Sequence, residues 1–175
     1  MNVICFGDSN TAGYNPCAKF GESFDRPWPA ILAELTGWQV RNEGVNGREV
    51  PDEPAVPAED VDLMLVMLGT NDLLQLDTPE AAAQRMETFL SRCDPKRVGI
   101  IAPPAMVWGE WVQDEELIQD SHRLAELYQA LADRLGIRFF NGVNWNVPMA
   151  FDGVHFTEEG HGIFAAELAK ELTGK

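Results

Sequence analysis

The chain has 175 residues, enough for one domain with a substantial core and no cross-links. Hydrophobic residues make up 45% of it and charged residues 23%, ordinary values for a soluble globular protein. Its 13 basic and 28 acidic residues give a formal net charge of -15, which argues against nucleic-acid or anionic-membrane partners because both attract basic surfaces.

The first predicted element is a strand over Val3–Phe6, and "GDSN" follows it directly. The segment "WPAILAEL" predicts a helix that carries proline at its start and stops at Gly37. A short strand at Val40–Asn42 leads into "NEGVNG", and a surface loop rich in proline and acid spans Val50 to Asp60. The apolar run Leu63–Leu68 predicts the third strand, and "GTND" closes it. Next comes "TPEAAAQRMETFLSRC", a helix with Thr78 as N-cap and Pro79 at its first position.

The fourth strand is Val98–Ala102, followed by a loop from Pro103 to Val112 that holds Trp108 and Trp111 and is too apolar for a mere connector. A long helix then lays Leu117, Leu124, Leu127, Tyr128, Leu131 and Leu135 along one stripe and stops at Gly136. Arg138–Asn141 is the fifth strand, "DGVH" follows after a loop, and "TEEGHGIFAAELAKEL" forms the last helix. Two of the strands, "LMLVML" and "VGIIA", lack alternation, as strands covered on both faces do. Strand alternating with helix predicts a three-layer α/β/α domain over residues 1–175, flavodoxin-like, with a central five-stranded parallel sheet.

Ligands of open parallel sheets sit beyond the carboxyl ends of the strands, so the residues there carry the chemistry. Those ends present Ser9, Asn42 with Gly44 and Gly47, Asn71, and finally Asp152 and His155. A serine hydroxyl attacks only when a neighbouring base takes its proton, and His155 is the best placed base. Asp152, three residues earlier, can reach the imidazole Nδ1–H through a short turn. Donors for an oxyanion are available from the backbone N–H of Ser9, the backbone N–H of Gly47 and the side chain of Asn71. Glycine suits position 47 on the expectation that the backbone must come close there. Taken singly, "GDS" and "GTND" are more often turns, and "DxxH" before a helix is more often a cap with a surface histidine. Four such motifs in order, each beside a strand end or opening the last helix, are not explained that way.

"GDSN", "NEGVNG", "GTND" and "DGVH" resemble the four blocks of the SGNH (GDSL) hydrolase superfamily. The longer strings "ICFGDSNTAGY", "RPWPAILAEL", "NEGVNGR", "MLGTND", "APP" and "DGVHFTEEGH" resemble its arylesterase and acyltransferase-like branch, from residue 3 to about 165. The resemblance implies a serine esterase acting on small carboxylic esters, with Ser9 as nucleophile, Gly47 and Asn71 as oxyanion donors, and Asp152 and His155 completing a triad. Acyltransferase, thioesterase, lysophospholipase or carbohydrate O-deacetylase chemistry would use the same residues. The chain departs from that branch at Glu49, where threonine is common, and in the short stretch between Gly47 and "GTND". Both departures bear on substrate preference.

A binding module of flavodoxin type is the competing reading, but it would want basic residues in the first loop, where "GDSNTAG" brings an acid. GxSxG is absent, which disfavours an α/β-hydrolase elbow. Trp108, Trp111 and Trp145 are candidates for substrate binding or for packing and subunit contacts, and the branch resemblance leaves a homo-oligomer open. Asp8 and Asp72 are expected to hold their turns, and His122 and His161 to be surface residues. Cys5, Cys17 and Cys93 show no CxxC spacing, so neither a disulfide framework, a metal site nor a cofactor is expected. With no signal-like segment before "VICF" and no run approaching the ~20 apolar residues of a membrane span, the expected location is cytoplasmic.

Overall fold

Five parallel strands form one sheet in the order β2-β1-β3-β4-β5. The structure, a computed structural model, describes residues 1–174. The strands are β1 (Asn2–Gly7), β2 (Gln39–Gly44), β3 (Leu63–Met67), β4 (Val98–Ala102) and β5 (Arg138–Asn141). The helices are α1 (Ser9–Ala12), α2 (Trp28–Thr36), α3 (Thr70–Leu74), α4 (Pro79–Leu90), α5 (Glu115–Leu135) and α6 (Glu158–Thr173). The predicted α/β/α architecture is therefore the observed one.

β1, β3, β4 and β5 divide their side chains between two cores, as a period of two requires, while the edge strand β2 adds only Val40 to one of them. Ile4, Met64, Val66 and Ile100 face α4 and α5, meeting Met86, Phe89, Leu124, Tyr128 and Leu131. Val3, Cys5, Leu65, Met67 and Ile101 face the other way, onto Trp28 and Leu32 of α2 and Phe164 and Leu168 of α6. All five residues of β3 are buried, which accounts for the unbroken apolar run in the sequence. The N-cap of α4 is the predicted one: Thr78 accepts from the Ala81 N–H, and Pro79 stands in the first turn.

The chain leaves β1 for β2 on one side and returns to β3 on the other, so the strand order switches direction at β1. The carboxyl ends of β1 and β3 diverge there into α1 and α3, opening the crevice in which such sheets bind ligands. Neither short helix is predicted from the sequence, because four or five residues are too few to show a helical period.

One expectation changes, and of the roles left open for Trp145 packing is the one seen. His161 is not at the surface; it is fully buried, its Nδ1 accepts from the Trp28 N–H, and the Phe24 and Phe156 rings flank it. Trp145 is also buried, packing on Phe164 while its indole N–H donates to Glu171. No described helix is long and apolar enough to cross a membrane.

Candidate active site

Ser9 begins α1 immediately after β1. Asp8 caps this helix, its Oδ1 accepting from the Asn10 N–H at 2.9 Å. The cap turns the serine out of the strand direction and holds its backbone N–H at the helix start, where it has no intrahelical partner. Asp8 is itself buried, and burial pushes its carboxyl up to about 6. It therefore holds the turn, as expected.

The Ser9 Oγ lies 3.0 Å from His155 Nε2, although 146 positions separate the two in sequence. His155 Nδ1 lies 2.6 Å from Asp152 Oδ2. A carboxylate only accepts, so the ring proton belongs on Nδ1, and Nε2 is left to accept from the serine hydroxyl. Asp152 Oδ1 also accepts from the Val154 and His155 N–H groups at 2.9 and 3.0 Å. Burial pushes the Asp152 carboxyl up, but the imidazole and these two N–H groups outweigh it and hold it below its ordinary value. Hydroxyl, imidazole and carboxylate thus form one hydrogen-bonded chain in which the serine proton can pass to Nε2.

Asn71 lies one residue into α3. Its Nδ2 donates to the Arg48 carbonyl at 3.1 Å, which ties α3 to the segment after β2 and leaves a second N–H unused. Asp72, completely buried, accepts from the Val50 N–H and from Arg85, so it ties down the same segment. Gly47 adopts a φ of 74°, and a Cβ there would meet nothing within 4 Å. The left-handed backbone by itself favours glycine at this position.

The three candidate tryptophans take different places. Trp111 does reach the site, its ring perpendicular to His155 with centroids 5.2 Å apart. It is brought there by the loop containing it, which is hydrogen-bonded to the segment before His155. The Trp111 N–H donates to the Asp152 carbonyl, Glu110 to Phe151, and Val107 to Gly153. Gly153 permits this contact, since a Cβ there would lie 2.1 Å from the Val107 oxygen. Trp108 instead faces a separate groove with Met106, Ile118 and Val147. Trp145 lies in the core described above, so neither is brought against Ser9 or His155.

Sequence reasoning passed over Tyr14, whose ring sits 4.7 Å from that of His155. It also passed over Asn10, whose buried amide bonds to Val154 and Phe156. The only signal for Asn10 was its position beside Ser9.

A family model described as the GDSL-like lipase/acylhydrolase family matches residues 5–163, and the chain belongs to that family. It is accordingly a carboxylic ester hydrolase, a reading that similar solved structures support. One is a candidate arylesterase from Agrobacterium tumefaciens str. C58, 30% identical with a TM-score of 0.83, the match covering 99% of this chain and 98% of that one. Another is the inhibitor-bound aryl esterase of M. smegmatis, 26% identical with a TM-score of 0.84 over 99% and 98% of the two chains. A carbohydrate acetylesterase family member from Sinorhizobium meliloti, at 23% identity and a TM-score of 0.82 over 99% of each chain, shares the fold. A search of curated proteins found no significant match.

Proposed function

We propose that the protein hydrolyses small carboxylic esters through an acyl-enzyme on Ser9. The observation that carries this reading is the 3.0 Å approach of Ser9 Oγ to His155 Nε2. As Oγ attacks the ester carbonyl, its proton passes to Nε2, the C=O electron pair moves onto oxygen, and a tetrahedral oxyanion forms. Asp152 stabilises the resulting imidazolium and keeps the ring turned toward the serine. The oxyanion collapses, the bond to the alcohol oxygen breaks, and His155 returns the proton to that oxygen as the alcohol leaves. Water then repeats the sequence on the acyl-enzyme and releases the acid.

The Ser9 N–H, the Gly47 N–H and the free N–H of Asn71 are the donors assigned to the oxyanion. Each such donor is worth about 3–4 kcal/mol of barrier when aimed at the developing charge. Ser9 and Asn71 stand just beyond the carboxyl ends of the adjacent strands β1 and β3, which supports the assignment.

Ser9→Ala tests the reading. It is expected to lower kcat for p-nitrophenyl acetate by on the order of 10⁴-fold to 10⁶-fold while leaving the thermal transition in place. Undiminished turnover in a folded variant would remove Ser9 from the mechanism.

A further inference from the structure

A cavity of about 430 Å³ lies between α3 and the first turns of α5. Its apolar surface comes from Leu73, Leu74 and Leu117, and Trp111 forms one wall. Trp111 is the same ring that packs perpendicular to His155, so the cavity begins one side chain from the proposed base. Leu73 and Leu74 follow Asn71 on the same short helix.

The rim of this cavity is acidic. Asp77, Asp114, Glu116 and Asp120 line it, and no lysine, arginine or histidine does. Asp77 is paired with Arg85, and Asp114 accepts from the Glu116 N–H. Glu116 and Asp120, one turn apart on α5, have no ion-pair partner among the described residues. The helix start contributes about half a positive charge, which these carboxylates more than offset. A half-exposed tryptophan beside uncompensated carboxylates attracts cations, by its ring quadrupole and by the focused negative potential.

We infer that this cavity receives the alcohol portion of the ester and selects esters whose alcohol carries a positive charge, a quaternary or protonated amine. The inference rests on the esterase reading above. The cation would sit against Trp111 below the Glu116 and Asp120 carboxylates, and the neutral acyl group would stay at Ser9. Anionic esters would be repelled by the same rim.

The test compares acetylcholine with its uncharged isostere 3,3-dimethylbutyl acetate, each kcat/KM divided by the ester's rate with hydroxide. The expected ratio is about tenfold at ~10 mM salt, falling to about twofold at ~0.5 M as the rim is screened. The double variant Glu116→Gln/Asp120→Asn should bring the ratio close to one. Asp133→Asn removes a charge about 20 Å further along the same helix and should leave it unchanged. A ratio near one in the wild type, a ratio indifferent to salt, or a ratio unmoved by the double variant overturns the inference. Failure to hydrolyse the neutral ester at all would instead refute the esterase reading itself.

Discussion

The side chain of Asn10 holds the backbone on both sides of His155. Its Nδ2 donates to the Val154 carbonyl at 3.0 Å, and its Oδ1 accepts from the Phe156 N–H at 2.9 Å. Because Asn10 is the neighbour of Ser9, this one amide sets the distance between the proposed nucleophile and the proposed base. Asn10→Ala would leave a carbonyl and an N–H buried without partners, at about 3 kcal/mol of stability. The imidazole would also be free to drift, and misplacement by about 1 Å costs on the order of 10²-fold. The expected result is a lower melting temperature with kcat down and KM little changed. An unaltered kcat would show that the amide does not position the site.

Asn71 and Gly47 belong to the oxyanion assignment, whereas nearby Gly44 is kept a glycine by packing alone. Asn71→Ala is expected to lower kcat by about 10²-fold to 10³-fold. Gly47→Ala meets no neighbour and should cost only the strain of a left-handed residue, about 1–2 kcal/mol. Gly44→Ala, by contrast, drives a Cβ to 2.1 Å from the Ala12 nitrogen and should not fold to the native state. Equal melting temperatures for the two glycine variants would contradict this packing.

Two buried groups should give opposite pH dependences of stability. Burial raises the Asp8 carboxyl from 3.8 to about 6, so its contribution is complete below the unfolded value and is lost as pH rises through about 6. Burial lowers His161 from 6.5 to about 4, so its contribution is complete above 6.5 and is lost as pH falls through about 4. Each amounts to about 3 kcal/mol, and across the range the two windows share, about pH 4 to 6, the slopes largely cancel. Relative to wild type, Asp8→Asn should therefore gain stability from pH 4 to pH 7, and His161→Asn should lose it over the same range. Urea unfolding at four pH values measures both. A pair of parallel curves would show that neither group carries the shift.

Arg85 is the cationic partner of Asp72, a carboxylate with no solvent exposure. Arg85→Met leaves that charge with only the Val50 N–H, and such unpaired buried charges cost about 3–5 kcal/mol. Because Asp72 anchors the segment after Gly47, catalytic rate should fall together with stability. A variant as stable as wild type would mean that Asp72 is held mainly by the backbone.

The sheet was readable because buried parallel strands leave uninterrupted apolar runs, and β3 and β4 are such runs. The proposed site was readable because its chemistry needs rare residue types, and serine, asparagine and histidine each stood beside a strand end or a helix start. Which face a residue takes was harder. Trp145 and Trp111 look alike in the sequence, yet one is turned into the α6 core and the other onto His155 by loop hydrogen bonds that leave no pattern. His161 did leave one. It shares the spacing of Phe164, Ala165 and Leu168, the inward stripe of α6, and its polarity hid that membership.

The pairing of a hydroxyl from residue 9 with an imidazole from residue 155 also bears on synthesis. A chain emerging from the ribosome would carry its attacking group long before its base, and stay inert until residue 155 had been made and folded back. Labelling of that serine by an active-site-directed phosphonate would then report chains that extend past residue 155 and pass over shorter fragments, whatever share of the sheet the fragments had already built.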